Sequence, residues 1–199
     1  MIDSFRGFYE FLSNFYRILI IYENIEYPTL EHAFVASKTL DIKKRIYVAT
    51  KIYDPGKAKR FGREKIILRE NWANIQDDIM EKLLRIKFSD VKLAELLINT
   101  YPKELIEGNW WGDEYWGVCK GIGENRLGKL LMKIRNELIL YKSRSCEDCV
   151  DYKESAVDSK WKIYCEAYDM ENKLSFAHEI RNPKEAMLCK FYDDESWVK

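Results

Sequence analysis

The chain has 199 residues, 47% of them hydrophobic and 33% charged, proportions that fit a globular domain and exclude a disordered or collagen-like chain. Lysine plus arginine equals aspartate plus glutamate at 33 each, which argues against bulk attraction to nucleic acid. Apolar runs such as "ILII" at 18–21 are far too short to cross a bilayer, so no membrane association is expected.

The N-terminus "MIDSFRGFYEF" lacks the basic-then-apolar progression of a signal peptide, and five scattered cysteines fit reduced thiols, so a cytoplasmic location is expected. "RILIIYENIEYP" reads as two short strands joined by a turn at Glu23 and Asn24. Pro28 ends the second strand, and Thr29 is placed to cap a helix over "LEHAFVASKTL". "DPGKAKRFG" starts a helix with an Asp cap and a proline in its first turn. Apolar residues at 72, 75, 79, 83 and 86 mark a long amphipathic helix to about Phe88, and "VKLAELLINT" a further one. Asn125 stands where it can cap the last strong helix, whose apolar positions run from 127 to 141.

The predicted fold class is therefore α+β: a predominantly helical single domain over 1–142 with a short N-terminal β-hairpin. Residues 143–199 form a C-terminal extension, in which "WKIYCEAYD" and "KLSFAHEI" alternate apolar and polar residues and predict a small β-hairpin appendage. From 146 onward there are 8 basic and 13 acidic residues, which makes this tail acidic and the body mildly basic.

Four constellations carry chemical interest. Glu31 and His32 fall in the first turn of the helix capped by Thr29, where the macrodipole favours negative charge with or without catalysis and is expected to keep a carboxylate ionised. The basic run "GKAKRFGREKIILR" surrounds Gly62; a charge run is ordinarily a solvated face, but arginines beside a glycine also suit a phosphate clamp. "GNWWGDEYWGVCKGIGEN" at 108–125 carries three of the six tryptophans among glycines, so it reads as a loop. Its indoles either pack on the body or stack on a flat base, and Asp113 beside them is either a turn former or a functional acid whose pKa desolvation by the indoles would raise, making it a proton donor. "CEDC" at 146–149, with Cys165, His178 or Cys189, offers half a zinc site but has no second close-spaced pair, so no metal is assigned.

"FLSNFY", "YPTLEHAFVASKTLD", "AKRFGR", "NW" followed by "MEKLLRIKF", "WGDEYWG" and "GENRLGKLLMKIR" stand in an order that resembles the YbiA-like, or NADAR, family over about residues 5–140. The resemblance implies a compact, mostly helical α+β fold and an N-glycosidase without a cofactor. It further implies a small-molecule phosphoribosyl or ADP-ribosyl substrate: a phosphoribosylated aminopyrimidine of riboflavin synthesis, or ADP-ribose on guanine, with ADP-ribosylated nucleic acid as a partner in the latter case. On this reading Glu31 stabilises the sugar cation and activates water, and Asp113 orients the ribose or protonates the leaving group. Phe15, Trp111 and Trp116 hold the base; Asn14 bonds sugar or base; Lys38, Arg60 and Arg63 around Gly62 hold phosphate, with His32 and Asn125 as further binding residues. The other class of function is an ADP-ribose or nucleotide-binding module without hydrolysis, against which retention of Glu31 and Asp113 speaks.

Overall fold

A computed structural model describes residues 1–142, 152–157, 160–169 and 174–180. They fall into two units, Met1–Arg135 and Asn136–Lys199. The first opens with a 3-10 turn, Gly7–Leu12, followed by β1 (Arg17–Tyr22) and β2 (Ile25–Thr29) paired antiparallel. Glu23 and Asn24 both have positive φ, 48° and 61°, the backbone that a tight two-residue hairpin requires.

Helix α1 (Leu30–Ser37) follows at once, with the Thr29 hydroxyl accepting from the His32 amide at 3.4 Å. All eight of its residues are buried, because α2 (Ile42–Lys51), α3 (Pro55–Glu64), α4 (Trp72–Lys87) and the hairpin pack around it. A helix enclosed on every side carries no solvated stripe, which explains why "LEHAFVAS" shows so little amphipathic pattern. Asp41 caps α2 and Asp54 caps α3, the latter accepting from the Lys57 amide at 2.7 Å. α5 (Val91–Ile98) precedes the loop, within which β3 (Gly108–Asn109) and β4 (Val118–Cys119) pair in parallel for two residues each. α6 (Arg126–Lys142) follows.

Leu12, Ile20, Leu30, Val35, Met80, Leu83, Leu84 and Leu131 are fully buried. Each such side chain contributes about 1.5–3 kcal/mol. Lys87 is buried among them, its ammonium donating to the Ser13 carbonyl at 2.7 Å, so α4 holds the chain segment that leads into the hairpin.

In the second unit β5 (Tyr152–Val157), β6 (Lys160–Asp169) and β7 (Leu174–Ile180) form a three-stranded antiparallel sheet in that order. The expected hairpin is β6–β7, with Cys165 opposite His178 in the register, and β5 adds a third strand. "CEDC" and Cys189 lie outside the described residues. Among the described residues no group of three or more His, Cys, Asp or Glu is arranged to hold a metal, and no helix is long and apolar enough to cross a membrane.

Candidate active site

A cavity of about 540 Å³ opens in the first unit, a size suited to a nucleotide-like ligand. The start of α1 supplies Glu31, its end Lys38, and the facing turns of α3 supply Lys59 and Arg63. Gly62 lies off the cavity: it is buried, and a Cβ there would come within 3.0 Å of Val35, so its part is to let α3 approach α1. The other wall is the tryptophan-rich loop, with Trp111, Asp113, Trp116 and Glu107. Ser13, Asn14 and Phe15 close the edge between them.

Glu31 is 6% exposed. Its amide donates to the Asn14 carbonyl at 3.0 Å, which binds the segment before the hairpin to the helix start. The expectation that the helix terminus keeps this carboxyl ionised needs correction. Burial pushes its pKa up, opposed by Lys59, Lys38 and Arg63 and reinforced by Asp113. The helix is enclosed, so desolvation outweighs a dipole worth a fraction of a kcal/mol to about 2 kcal/mol, and the charged form depends on the three cations. Lys38 is the complementary case: burial lowers its pKa, and Glu31 is the first group to oppose that.

Asp113 is clamped at three points. Asn109 accepts from its amide at 3.0 Å and donates to its carbonyl at 2.7 Å, while Asp113 Oδ1 accepts from the Trp116 amide at 3.0 Å. Its Oδ2 lies 3.7 Å from Lys59 Nζ, and that ammonium stands 5.6 Å from the centre of the Trp111 ring. Trp116 meets Phe34 edge-on at 5.5 Å, whereas Trp111 is 48% exposed and Phe15 39% exposed, leaving flat aromatic surface open. Asn14 donates to the Met80 sulfur at 3.6 Å and keeps a buried Oδ1 without a partner, an acceptor available to a ligand hydroxyl or amine.

Besides Gly62, three residues expected at the site stand elsewhere. His32 is fully buried with Nδ1 2.7 Å from the Thr29 hydroxyl, and burial lowers its pKa; it faces the hairpin because it follows Glu31 by one position on the helix. Arg60 lines a separate, shallower groove with Tyr47, Lys51, Phe61 and Lys65. Asn125 precedes α6 with φ 52°, and its carbonyl accepts from Lys129 at 3.0 Å. Its side chain, however, turns back to the loop, accepting from the Glu107 amide at 3.1 Å and donating to the Leu105 carbonyl at 2.9 Å.

Lys59 and Glu107 are among the cavity residues to which the sequence assigns no role. Lys59 sat in a run that reads as a solvated face, and only the phase of α3 against α1 brings it to the carboxylates. Glu107 is an unremarked acid in "LIEG", yet burial pushes its carboxyl up to about 7, and its Oε2 is buried without a partner.

The NADAR domain model matches residues 4–139, and the chain belongs to that family. It is 40% identical over 133 residues to N-glycosidase YbiA of Escherichia coli strain K12, covering 65% of this chain and 82% of the relative. It is also 34% identical over 131 residues to a riboflavin biosynthesis protein of Vibrio vulnificus, covering 64% of this chain and 35% of that protein. The NMR structure of E. coli YbiA superposes with a TM-score of 0.63 at 38% identity, over 72% of this chain and 89% of that one.

Proposed function

We propose that this N-glycosidase hydrolyses the C1′–N bond of a phosphate-bearing ribosylated base, either a phosphoribosylated aminopyrimidine or ADP-ribose attached to guanine. The observation that carries the proposal is one cavity that unites a buried carboxyl, open aromatic faces and a cationic flank. Cleavage of such a bond develops positive charge at the anomeric carbon and negative charge on the departing base. Glu31 in its ionised form, sustained by Lys59, Lys38 and Arg63, stabilises the cation and takes a proton from the attacking water. Phe15 and Trp111 offer the faces between which a base stacks, a contact worth about 1–3 kcal/mol per ring. Lys38 and Arg63 bind phosphate, and the buried Asn14 Oδ1 accepts from the ribose or the base. Relatives named for N-glycosidase activity and for riboflavin biosynthesis support the aminopyrimidine. We assign the activity to residues 1–142, the part that the family match covers almost entirely, with 143–199 as a C-terminal extension.

The test is incubation of the full chain with a phosphoribosylaminopyrimidine and, separately, with ADP-ribosylated guanosine, followed by chromatography. Release of free base from one of them is the expected result. Tight binding of both with no base released would make the protein a nucleotide-binding module instead.

A further inference from the structure

We propose that Glu107 is the acid that protonates the departing base, a role that rests on the N-glycosidase reading above. The division of labour on the cavity wall would then be Glu31 for the sugar and water, Glu107 for the leaving group, and Asp113 for position.

The backbone at 107 is held as firmly as any in the loop. Its amide donates to Asn125 Oδ1 at 3.1 Å and its carbonyl accepts from the Val118 amide at 2.9 Å. Gly117 packs so closely on that carbonyl that any Cβ would overlap it. A side chain launched from such a backbone has a defined reach, which proton transfer in a transition state requires. Glu107 lines the same cavity as Glu31 and the open indole of Trp111.

Its surroundings favour the protonated form. The charged groups that face it are Lys59 from α3, Arg6 from the N-terminal segment, Asp113 from its own loop, Glu31 from α1 and Lys87 from α4. Two of these are acids, and Lys59 is shared with both of them. No hydrogen-bond donor reaches the buried Oε2, so a full charge there would lack a hydrogen bond. Burial accordingly brings the group to about 7, where a carboxylic acid still carries its proton near neutrality and yields it readily. Asp113 is the more occupied group, because Oδ1 already accepts the Trp116 amide hydrogen and Oδ2 faces the Lys59 ammonium, so both of its oxygens are engaged.

The step balances as follows. The C1′–N bond breaks and its electron pair goes to the base, which receives the Glu107 proton. Water forms the new C1′–O bond and gives one proton to Glu31. The products are the free base and the hydroxylated sugar, and transfer of the proton from Glu31 through solvent to Glu107 restores the starting state.

The experiment is kcat/KM against pH for the wild type, Glu107→Gln and Glu107→Asp, on whichever of the two substrates the wild type cleaves, and again on an analogue whose base is more electron-poor. Wild-type activity is expected to fall as the pH rises through about 7. Glu107→Gln should lose roughly 100-fold to 10,000-fold and show no such fall, and its deficit should shrink on the analogue, which leaves without help. A Glu107→Gln enzyme that keeps wild-type rate and the same alkaline fall overturns the proposal while leaving the N-glycosidase reading intact. If the wild type cleaves neither substrate, that reading fails first and this one with it. Should the glutamine variant not fold, Glu107→Asp decides: an alkaline fall with a moved midpoint supports the assignment, and one identical to wild type refutes it.

Discussion

The helical wall and the loop wall of the cavity hold their carboxyls by different means. On the helical side α1 is enclosed by its neighbours and Lys59 and Arg63 project from α3, so the frame is set by apolar packing and the charges are added to it. On the loop side the frame consists of polar groups: Asn109 holds Asp113, Asp113 holds the Trp116 amide, and Asn125 holds Glu107. A substitution on the first wall should therefore remove chemistry and spare the fold, whereas one on the second should weaken both together.

The largest effect tests the first half of that contrast. Glu31→Gln should lower kcat by about 1,000-fold or more, some 4 kcal/mol of transition-state stabilisation. Its stability should move the other way. Burial raises the folded pKa of Glu31 above the ordinary 4.5, so the wild type binds more protons folded than unfolded and loses stability as the pH rises above that value. The amide escapes that loss, so Glu31→Gln should melt at or above the wild-type temperature at pH 8. A variant that melts well below the wild type would mean that Glu31 holds the frame after all.

Asn109→Ala is the matching cut on the loop wall. It removes two hydrogen bonds to the Asp113 backbone, of 2.7 and 3.0 Å, from a residue that is 9% exposed. We expect a loss of about 1–3 kcal/mol in urea unfolding and a fall of roughly 10-fold to 100-fold in kcat/KM as Asp113 and the indoles drift. Full activity in a destabilised protein would show that the loop's polar frame serves stability alone.

Lys87, behind the walls, and Glu107, on the loop wall, titrate in opposite senses, and this sets a smaller, pH-resolved effect. Glu107 has a folded pKa raised to about 7, so its contribution to stability declines as the pH rises from 4.5 to about 7. Lys87 has a folded pKa lowered from 10.5 to about 7, so the unfolded chain binds the extra proton above 7 and stability recovers as the pH climbs toward 10.5. Urea titrations of the wild type should show a minimum near neutrality and a rise of about 1–2 kcal/mol by pH 9, within the limit of about 1.4 kcal/mol per pH unit for one group. Lys87→Met should abolish the rise. An equal rise in that variant would assign it to other groups.

These walls were unequally legible in the sequence. The hairpin turn at Glu23–Asn24 and the caps at Thr29 and Asp54 rest on chemistry within a few residues, so local pattern sufficed. The 3-10 turn at Gly7–Leu12 has no periodicity to read; it is fixed by burial of Phe11 and Leu12. α2 did carry a local signal in Asp41, but its apolar face is short, with only Arg45 and Val48 buried along it. At the site, Glu31, Asp113, Lys38, Arg63 and the aromatics meet in one cavity, and the order of family motifs is what pointed to them. Glu107 escaped notice because its character comes from what surrounds it in space, and nothing in "LIEG" records that Lys59, Asp113 and Glu31 converge there.

The basic run on α3 exposes the same limit, and it yields the smallest expected effect. Successive helical residues turn by about 100°, so Lys59 and Arg63, one turn apart, share a face, while Arg60 lies about 100° round from Lys59. The structure divides them accordingly: Lys59 and Arg63 line the cavity, and Arg60 lines the groove with Tyr47 and Phe61. A cation at a substrate phosphate makes charge-assisted hydrogen bonds worth about 1.5–3 kcal/mol, so Arg63→Ala should raise KM by roughly 10-fold or more. Arg60→Ala, on an exposed groove at an adjoining face of the same helix, should change kcat/KM by less than about twofold, within the ±0.5 kcal/mol typical of surface substitutions. Steady-state kinetics of the two variants on one substrate make the comparison. An Arg60→Ala defect as large as that of Arg63→Ala would mean that the ligand reaches across α3 into the second groove, and that the helical wall has two working faces instead of one.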